Sequence, residues 1–188
     1  NQMIRQGAWM VFALSALLLW ISNNGTMNFI GITVQEMGGS DRLIGLVWMM
    51  SAVAEIPIMF TSDRLLRRFG STRLLITAFS IFTIRGILLA IMPAPEWAAA
   101  ISMLGGVSFS LFWVSAVSYA NDSAPDHLKS TAQGLLFSIM NLAGMAGSLN
   151  AGWLYDHLGF RGLYWTTAAV AAAGLVLFVV GRLKFAHK

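Results

Sequence analysis

Asp63-Arg64-Leu65-Leu66-Arg67-Arg68-Phe69-Gly70 concentrates four charges in eight residues, between apolar segments at 43 to 62 and 72 to 92. Spanning a hydrocarbon core of ~30 Å takes roughly 20 helical residues, so each flanking segment has the length of one crossing. The octapeptide therefore reads as the loop between two membrane helices. Lys and Arg collect in the cytoplasmic loops of such proteins, which puts this loop on the cytoplasmic side.

The rest of the chain has the same character. Of its 188 residues 57% are apolar and 11% charged, and the mean hydropathy of +0.70 describes a surface that water would not tolerate on a soluble domain. Six spans are predicted, at 8 to 34, 43 to 62, 72 to 92, 97 to 119, 129 to 152 and 162 to 182, with no soluble domain left over. Turn signals separate them, among them Gly38-Gly39-Ser40-Asp41, Pro93-Ala94-Pro95-Glu96 and Asn121-Asp122-Ser123-Ala124-Pro125-Asp126.

The net charge of +4 could suggest a nucleic-acid partner, but the placement of the cations argues against one. Arg5, Arg64, Arg67, Arg68, Arg73, Lys129, Arg182, Lys184 and Lys188 fall at the termini and in the second and fourth loops, whereas Arg42 and Arg161 fall on the opposite side. Both termini are thus expected in the cytoplasm of a multi-pass protein, in a bacterial inner membrane. The first span is too long for a signal-peptide core, and an opening Asn1 in place of Met is what a fragment or a trimmed chain would show. There is no cysteine, hence no disulfide or thiol chemistry.

An internal echo suggests how the spans are organised. Arg68-Phe69-Gly70-Ser71-Thr72-Arg73-Leu74 resembles His157-Leu158-Gly159-Phe160-Arg161-Gly162-Leu163 at an offset of 159 − 70 = 89 residues. Three spans per copy is an odd number, so the second copy would enter from the other side, as an inverted 3+3 repeat.

Three stretches carry a family resemblance. The octapeptide resembles the second, degenerate copy of the cytoplasmic Asp-Arg-x-Gly-Arg-Arg loop of the major facilitator superfamily, with Leu65 or Leu66 where glycine is expected. Ala124-Pro125 through Lys129-Ser130-Thr131-Ala132-Gln133-Gly134 is similar to the connection between that family's tenth and eleventh helices. Gly152-Trp153-Leu154-Tyr155-Asp156-His157-Leu158-Gly159-Phe160-Arg161-Gly162 resembles the last external loop of its lactose permease branch, which also holds nucleoside and phenylpropionate symporters. The resemblance implies the C-terminal six-helix half of a secondary transporter, with the N-terminal half, or a second copy in a crystal, as its partner. It also implies that Arg85 matches a ninth-helix arginine of the branch. The histidine and glutamate of the branch's proton relay fall on Gly105 and Ser108, and its sugar-contacting glutamate falls on Ala52.

Physics alone singles out Glu55 and Arg85, because an ionisable group near the bilayer centre costs about 2.5 to 3.5 kcal/mol even on the insertion scale. Glu55 lies roughly 12 Å in from Asp63 and Arg85 roughly 18 Å in from Arg73, counted at 1.5 Å per residue. A salt bridge or a shared aqueous cavity is geometrically open to them; a static ion pair that fixes helix register is the competing reading. Pro57 lacks an amide proton and frees the carbonyl of Val53 beside Glu55, so a local kink is expected. Glu55 is the candidate proton-responsive group, and Arg85 its partner or an anchor for an anionic substrate group.

Asn24 and Asn28 share a face of the first span at i, i+4, and Gly25 beside them would permit local unwinding near a substrate site. Approach to the external interface would account for the same amides. Asn141 is a mid-membrane amide of the fifth span, whose Gly144, Gly147, Ser148, Ala151 and Gly152 read as a helix-packing stripe. Trp9, Trp97, Trp153 and Trp165 are expected in the interfacial belts, while Trp20, Trp48 and Trp113 lie deeper. Asp63, Arg64, Arg67 and Arg68 form a candidate cytoplasmic gating loop, in which the acid, superfluous for topology, would bond a neighbouring helix end in one state of a transport cycle.

The sequence has no P-loop, no dinucleotide glycine pattern, no HExxH and no cluster at metal spacing, and so no expected cofactor or metal. The expectation is a non-enzymatic carrier of a small molecule, embedded in membrane lipid, using ion gradients and most simply protons. A non-transporting receptor or scaffold on the same fold, or an intramembrane enzyme, are the alternatives.

Overall fold

The computed structural model describes residues 7–186. Arg5 and Lys188, which enter the charge asymmetry, lie outside the described residues. Four helical stretches make up nearly all of the fold: α1 (Gly7–Glu36), α2 (Asp41–Ile91), α3 (Trp97–Asp122) and α4 (Lys129–Ala186), with a 3-10 turn at Asp126–Leu128 before α4. All four are long and apolar enough to cross a membrane.

The two segments flanking the arginine loop are two helical arms that follow one another across a single kink. They are joined in α2, as are the segments at 129 to 152 and 162 to 182 in α4. Straight helices of 51 and 58 residues would reach roughly 76 and 87 Å at 1.5 Å per residue, more than twice the ~30 Å core. Each is interrupted at one glycine, Gly70 (φ 75°, ψ 156°) and Gly159 (φ 65°, ψ −178°), in the left-handed region of φ that a side chain disfavours. The polar loop expected around Gly70 is thus reduced to one residue of non-helical backbone.

Both stretches double back at these points. Ser51, before Gly70, and Arg85, after it, meet neighbouring residues of α3: a Cβ on Gly106 would lie 2.0 Å from the Ser51 carbonyl oxygen, and one on Gly105 2.9 Å from Arg85 Cζ. Likewise, Gly147 and Thr167 on the two arms of α4 both meet α1, where a Cβ on Gly147 would lie 2.6 Å from the Ile21 carbonyl oxygen and Ser22 Oγ donates to the Thr167 carbonyl at 2.8 Å. In a membrane, helices associate through close packing rather than through a hydrophobic force between them, which is why glycines sit at the crossings. The small-residue stripe of α4 plays this packing role, with Ala143 and Ala151 buried.

α1 ends at Gly38 (φ 85°), where Gly39 N donates to Val34 O at 2.8 Å and Gly38 N to Gln35 O at 2.9 Å, a Schellman closure. Ser40 caps α2 in extended conformation, its side chain accepting from Leu43 N. The local unwinding expected at Gly25 does not occur. The backbone stays helical through Pro57, and α1 is unbroken at Gly25. The Pro57 carbonyl accepts from Thr61 Oγ1 at 2.6 Å, and Gly25 gives room for Thr167 and Ala151 instead of unwinding.

Two apolar cores form. One gathers Phe12, Phe79, Phe112 and Phe178 around Leu19, Leu75 and Leu136, with the Phe79 and Phe178 rings parallel at 5.9 Å. The other gathers Ile30, Val34, Leu89, Leu163 and Tyr164. Between them runs a polar waist containing Ser22, Thr26, Thr167 and Arg85, where Thr26 Oγ1 donates to Ser22 O at 3.1 Å and lies 3.3 Å from Thr167 Oγ1. Trp97, Trp153 and Trp165 are exposed, as a belt requires, but Trp9 belongs to the first core with 3% exposure.

Candidate functional site

At the level of the waist, α1 and the first arm of α4 leave a groove of about 580 Å³, lined chiefly by Trp20, Asn24, Asn28, Asn141, Met145 and Ser148. Glycine sets its depth, since Gly147 brings the two backbones together and Gly144 leaves room beside the Asn24 amide, whose Oδ1 would lie 3.4 Å from an added Cβ. Asn24 Nδ2 donates to the Trp20 carbonyl at 2.9 Å and Asn28 Nδ2 to Ser148 Oγ at 2.7 Å. Each amide therefore keeps its oxygen free of these bonds, and Asn28 and Asn141 are exposed. No charged side chain lines the groove.

Glu55 and Arg85 are elsewhere. Arg85 is 2% exposed; its guanidinium lies over Gly105 and donates to the Met27 thioether at 3.6 Å, while its Nε is buried without a partner. Glu55 is half-buried on the first arm of α2. No ion pair joins the two: Lys129 with Asp126, at 2.7 Å, is the only salt bridge among the described residues. Gly105 and Gly106 are successive on α3, so their directions differ by roughly 100°, and the two arms of α2 approach α3 from different sides. Glu55 and Arg85 stand on different arms of α2 and are not joined by an ion pair among the described residues. Asn24, Asn28 and Asn141 share a concavity from which both ionisable groups are absent.

Sequence reasoning missed a second polar system, near the end of α1. Thr33 Oγ1 and Tyr164 Oη share a hydrogen bond of 2.8 Å, and the Tyr155 hydroxyl donates to the Glu36 carboxylate. These contacts tie α1 to both arms of α4 beside Gly159. Tyrosine and threonine in apolar runs gave only a weak sign of it. At the end of the first arm of α2, just before Gly70, Asp63, Arg64, Arg67 and Arg68 are exposed and helical rather than in a loop, and Arg68 stands over the Phe69 ring at 5.3 Å. The hydrogen bond from Lys129 holds the Asp126 carboxyl below its ordinary value. No group of three or more potential metal ligands occurs among the described residues.

The fold is helical and largely apolar, with an uncharged polar groove beside the middle of α1, and residues 1–166 match the model of the MFS_1 like family. The chain belongs to this family of the major facilitator superfamily. It is 29% identical over 161 residues to the maltose permease of Geobacillus stearothermophilus, covering 85% of this chain and 40% of that one. Against a probable 3-phenylpropionic acid transporter of Escherichia coli (strain K12) the identity is 26% over 155 residues, 79% of this chain and 39% of the relative. An uncharacterized transporter of Bacillus subtilis (strain 168), YwbF, aligns over 100% of this chain and 48% of its own length at 21% identity. The chain thus spans 39% to 48% of the length of these three relatives, each of which is named as a transporter or permease.

Proposed function

We propose that the chain is the C-terminal half of a secondary transporter that carries a small solute by alternating access, coupled to protons, with both termini in the cytoplasm of a bacterial inner membrane. The observation that carries this reading is the groove beside the middle of α1, lined by three amides and a serine hydroxyl and open on one side among the described residues. Polar surface on membrane-spanning helices is expensive against lipid, and a second half across the groove would cover it. Leu142, Met145 and Leu149, exposed by 65%, 67% and 76%, offer that half an apolar flank. The absence of charge supports a solute that meets this half through uncharged groups. The relatives named for maltose and for 3-phenylpropionic acid are compatible with small solutes of different chemistry.

Six spans in an inverted 3+3 arrangement are part of the proposal, and the offset of 89 residues supports it. Gly70 and Gly159 are the two interruptions with positive φ. Arg85, facing Gly105 of α3, has its counterpart 174 − 85 = 89 residues on in Gly174, where a Cβ would lie 3.2 Å from the Ser15 carbonyl oxygen of α1.

Uptake by the full-length transporter in proteoliposomes, with and without a pH gradient, tests the reading; solute accumulation that ignores the gradient removes the proton. Glu55, half-buried and without an ion-pair partner among the described residues, is the proposed proton-responsive group. Glu55→Gln should abolish accumulation and spare exchange in part. Arg85 enters the cycle in a state that exposes it, as partner to Glu55 or to an anionic substrate group. Asp63, with Arg64, Arg67 and Arg68, is proposed to latch the cytoplasmic face against the other half. An open groove disfavours a non-transporting scaffold, whose cavity would be plugged.

A further inference from the structure

The two arms of α4 are held to α1 in different ways. On the second arm, the Thr167 carbonyl accepts from Ser22 Oγ at 2.8 Å, and Thr167 Oγ1 lies 3.3 Å from Thr26 Oγ1. Tyr164 Oη and Thr33 Oγ1 are 2.8 Å apart. The one hydroxyl proton of Thr33 goes to the Phe29 carbonyl at 2.9 Å, so Tyr164 is the donor of that pair. All three contacts are buried. The first arm reaches α1 through Asn28 and Ser148 and through the Tyr155 hydroxyl, which donates to the Glu36 carboxylate, and both of these contacts are exposed. Water competes for an exposed hydrogen bond and not for a buried one, so the second arm is fixed and the first is releasable.

Three further features make release of the first arm a movement. Gly159 (φ 65°, ψ −178°) interrupts the helix between the arms, and such a position absorbs a change of angle. A crevice of about 260 Å³ lies between α1 and the two arms, open to one side and lined in part by Gly25, Asn150, Leu154, Leu163 and Thr166. Leu154 and Leu163 each precede one of the clasping tyrosines, so the crevice begins at the clasp. Close-packed side chains would block a shift there, and this space does not. The third feature is a pivot, since a Cβ on Gly147 would lie only 2.6 Å from the Ile21 carbonyl oxygen. Tyr155 is eight residues beyond that crossing, about 12 Å along the helix, so a tilt of roughly 15° carries it about 3 Å and parts the hydroxyl from the carboxylate.

We infer that the first arm of α4 is a rocking element, that the Tyr155–Glu36 bond is the clasp holding its outer end on α1, and that release lets it tilt about Gly147 into the crevice, turning at Gly159. Tyr155 and Glu36 are positioning residues. Asn141 and Ser148 ride on the moving arm, whereas Asn24 and Asn28 belong to α1, so the tilt changes the spacing of the amides across the groove. The inference rests on the transporter reading for its use, but the movement is tested as a distance.

The test is the distance between spin labels at Gln35→Cys and Asp156→Cys, both exposed, in the purified full-length protein with any other cysteine replaced. The labelled parent should give one main distance. Tyr155→Phe should add a second population longer by about 3 Å, as the tilt requires, and Glu36→Gln, which keeps an acceptor, a smaller one. Val170→Phe, which puts a ring on the crevice wall, should remove the second population from the Tyr155→Phe protein. Tyr164→Phe should leave the distance unchanged, because Ser22 and Thr26 still hold the second arm. Gel filtration reports folding, and if Tyr155→Phe fails it, Glu36→Gln carries the test. Unmoved distances in folded Tyr155→Phe or Glu36→Gln, a second population untouched by Val170→Phe, or the same shift in Tyr164→Phe overturns the rocking arm. A shifted distance in a protein that moves no solute into proteoliposomes would sink the transport reading and leave the clasp standing; solute uptake with unmoved distances would do the reverse.

Discussion

Two polar regions share the middle of this molecule and are built on opposite plans. The groove between α1 and α4 is open and uncharged, its amides held by neighbouring carbonyl and hydroxyl oxygens. The space around Arg85 is closed and carries a full charge whose hydrogen-bond partner is a thioether. Amides are cheap to hold at membrane depth and adapt to a changing partner; a guanidinium is expensive, and a fold that keeps one sealed does so with packing. The glycine contacts show the same division. Gly144 leaves room for a groove amide, while Gly105 and Gly106 remove all room between α3 and the two arms of α2.

The largest expected effect comes from breaking the closed side. In Gly106→Ala the new methyl would lie 2.0 Å from the Ser51 carbonyl oxygen, a backbone atom that cannot swing away, so α2 and α3 must part. A loss of about 3 kcal/mol or more is expected, the upper part of the overpacking range. It is read from the temperature at which the detergent-solubilised protein loses its gel-filtration peak. Gly45→Ala, with nothing within 4 Å of the added methyl, is the control; equal behaviour of the two would refute the tight crossing.

Arg85→Met sharpens the comparison from the other direction. It removes a buried charge that lacks an anionic partner among the described residues and retains most of the apolar stem. Stability should rise by about 1 to 3 kcal/mol while coupled transport falls. A destabilised variant would mean that the charge has a partner in this state. On the open side, Asn28→Ala gives up the 2.7 Å bond to Ser148 at an exposed position, worth about 0.6 kcal/mol by the mean of such membrane bonds. Its effect on solute should be larger, a KM raised roughly tenfold, equivalent to ~1.4 kcal/mol.

The lipid-facing character, the helical class and the family were legible because they depend on sums over long stretches: apolar runs, turn residues, loop motifs. The amides were legible for a related reason, since a polar side chain in an apolar run stands out wherever it points. What the chain did not disclose was direction. Glu55 and Arg85 stand out as ionisable residues in apolar runs, but which neighbour each meets is set by packing, as Arg85 shows by lying against Gly105. Trp9 shows the same limit at the interface, since its position near a helix end suits a belt while its contacts bury it. Gly25 was read as a point of local unwinding. Packing overrode it, with Thr167 and Ala151 against Gly25, and the interruptions fell at Gly70 and Gly159, which the internal echo had paired without revealing their backbone.

The smallest effect belongs to a third setting for charge, the surface. Asp126 and Lys129 meet at 2.7 Å in an i, i+3 pair, with the Asp126 side chain almost fully solvated. Because the folded-state value of the Asp126 carboxyl is depressed, any stability it contributes is present above the ordinary carboxylate range and is lost as pH falls through the depressed value. Water and salt screen the pair, so Lys129→Ala should leave the melting temperature at pH 7 unchanged. The same measurement at acid pH should again not separate the variant from the parent by more than its scatter. A clear drop on losing Lys129 would show that this loop braces the start of α4, and would move the boundary between expensive and inexpensive charge outward from the bilayer to the loops.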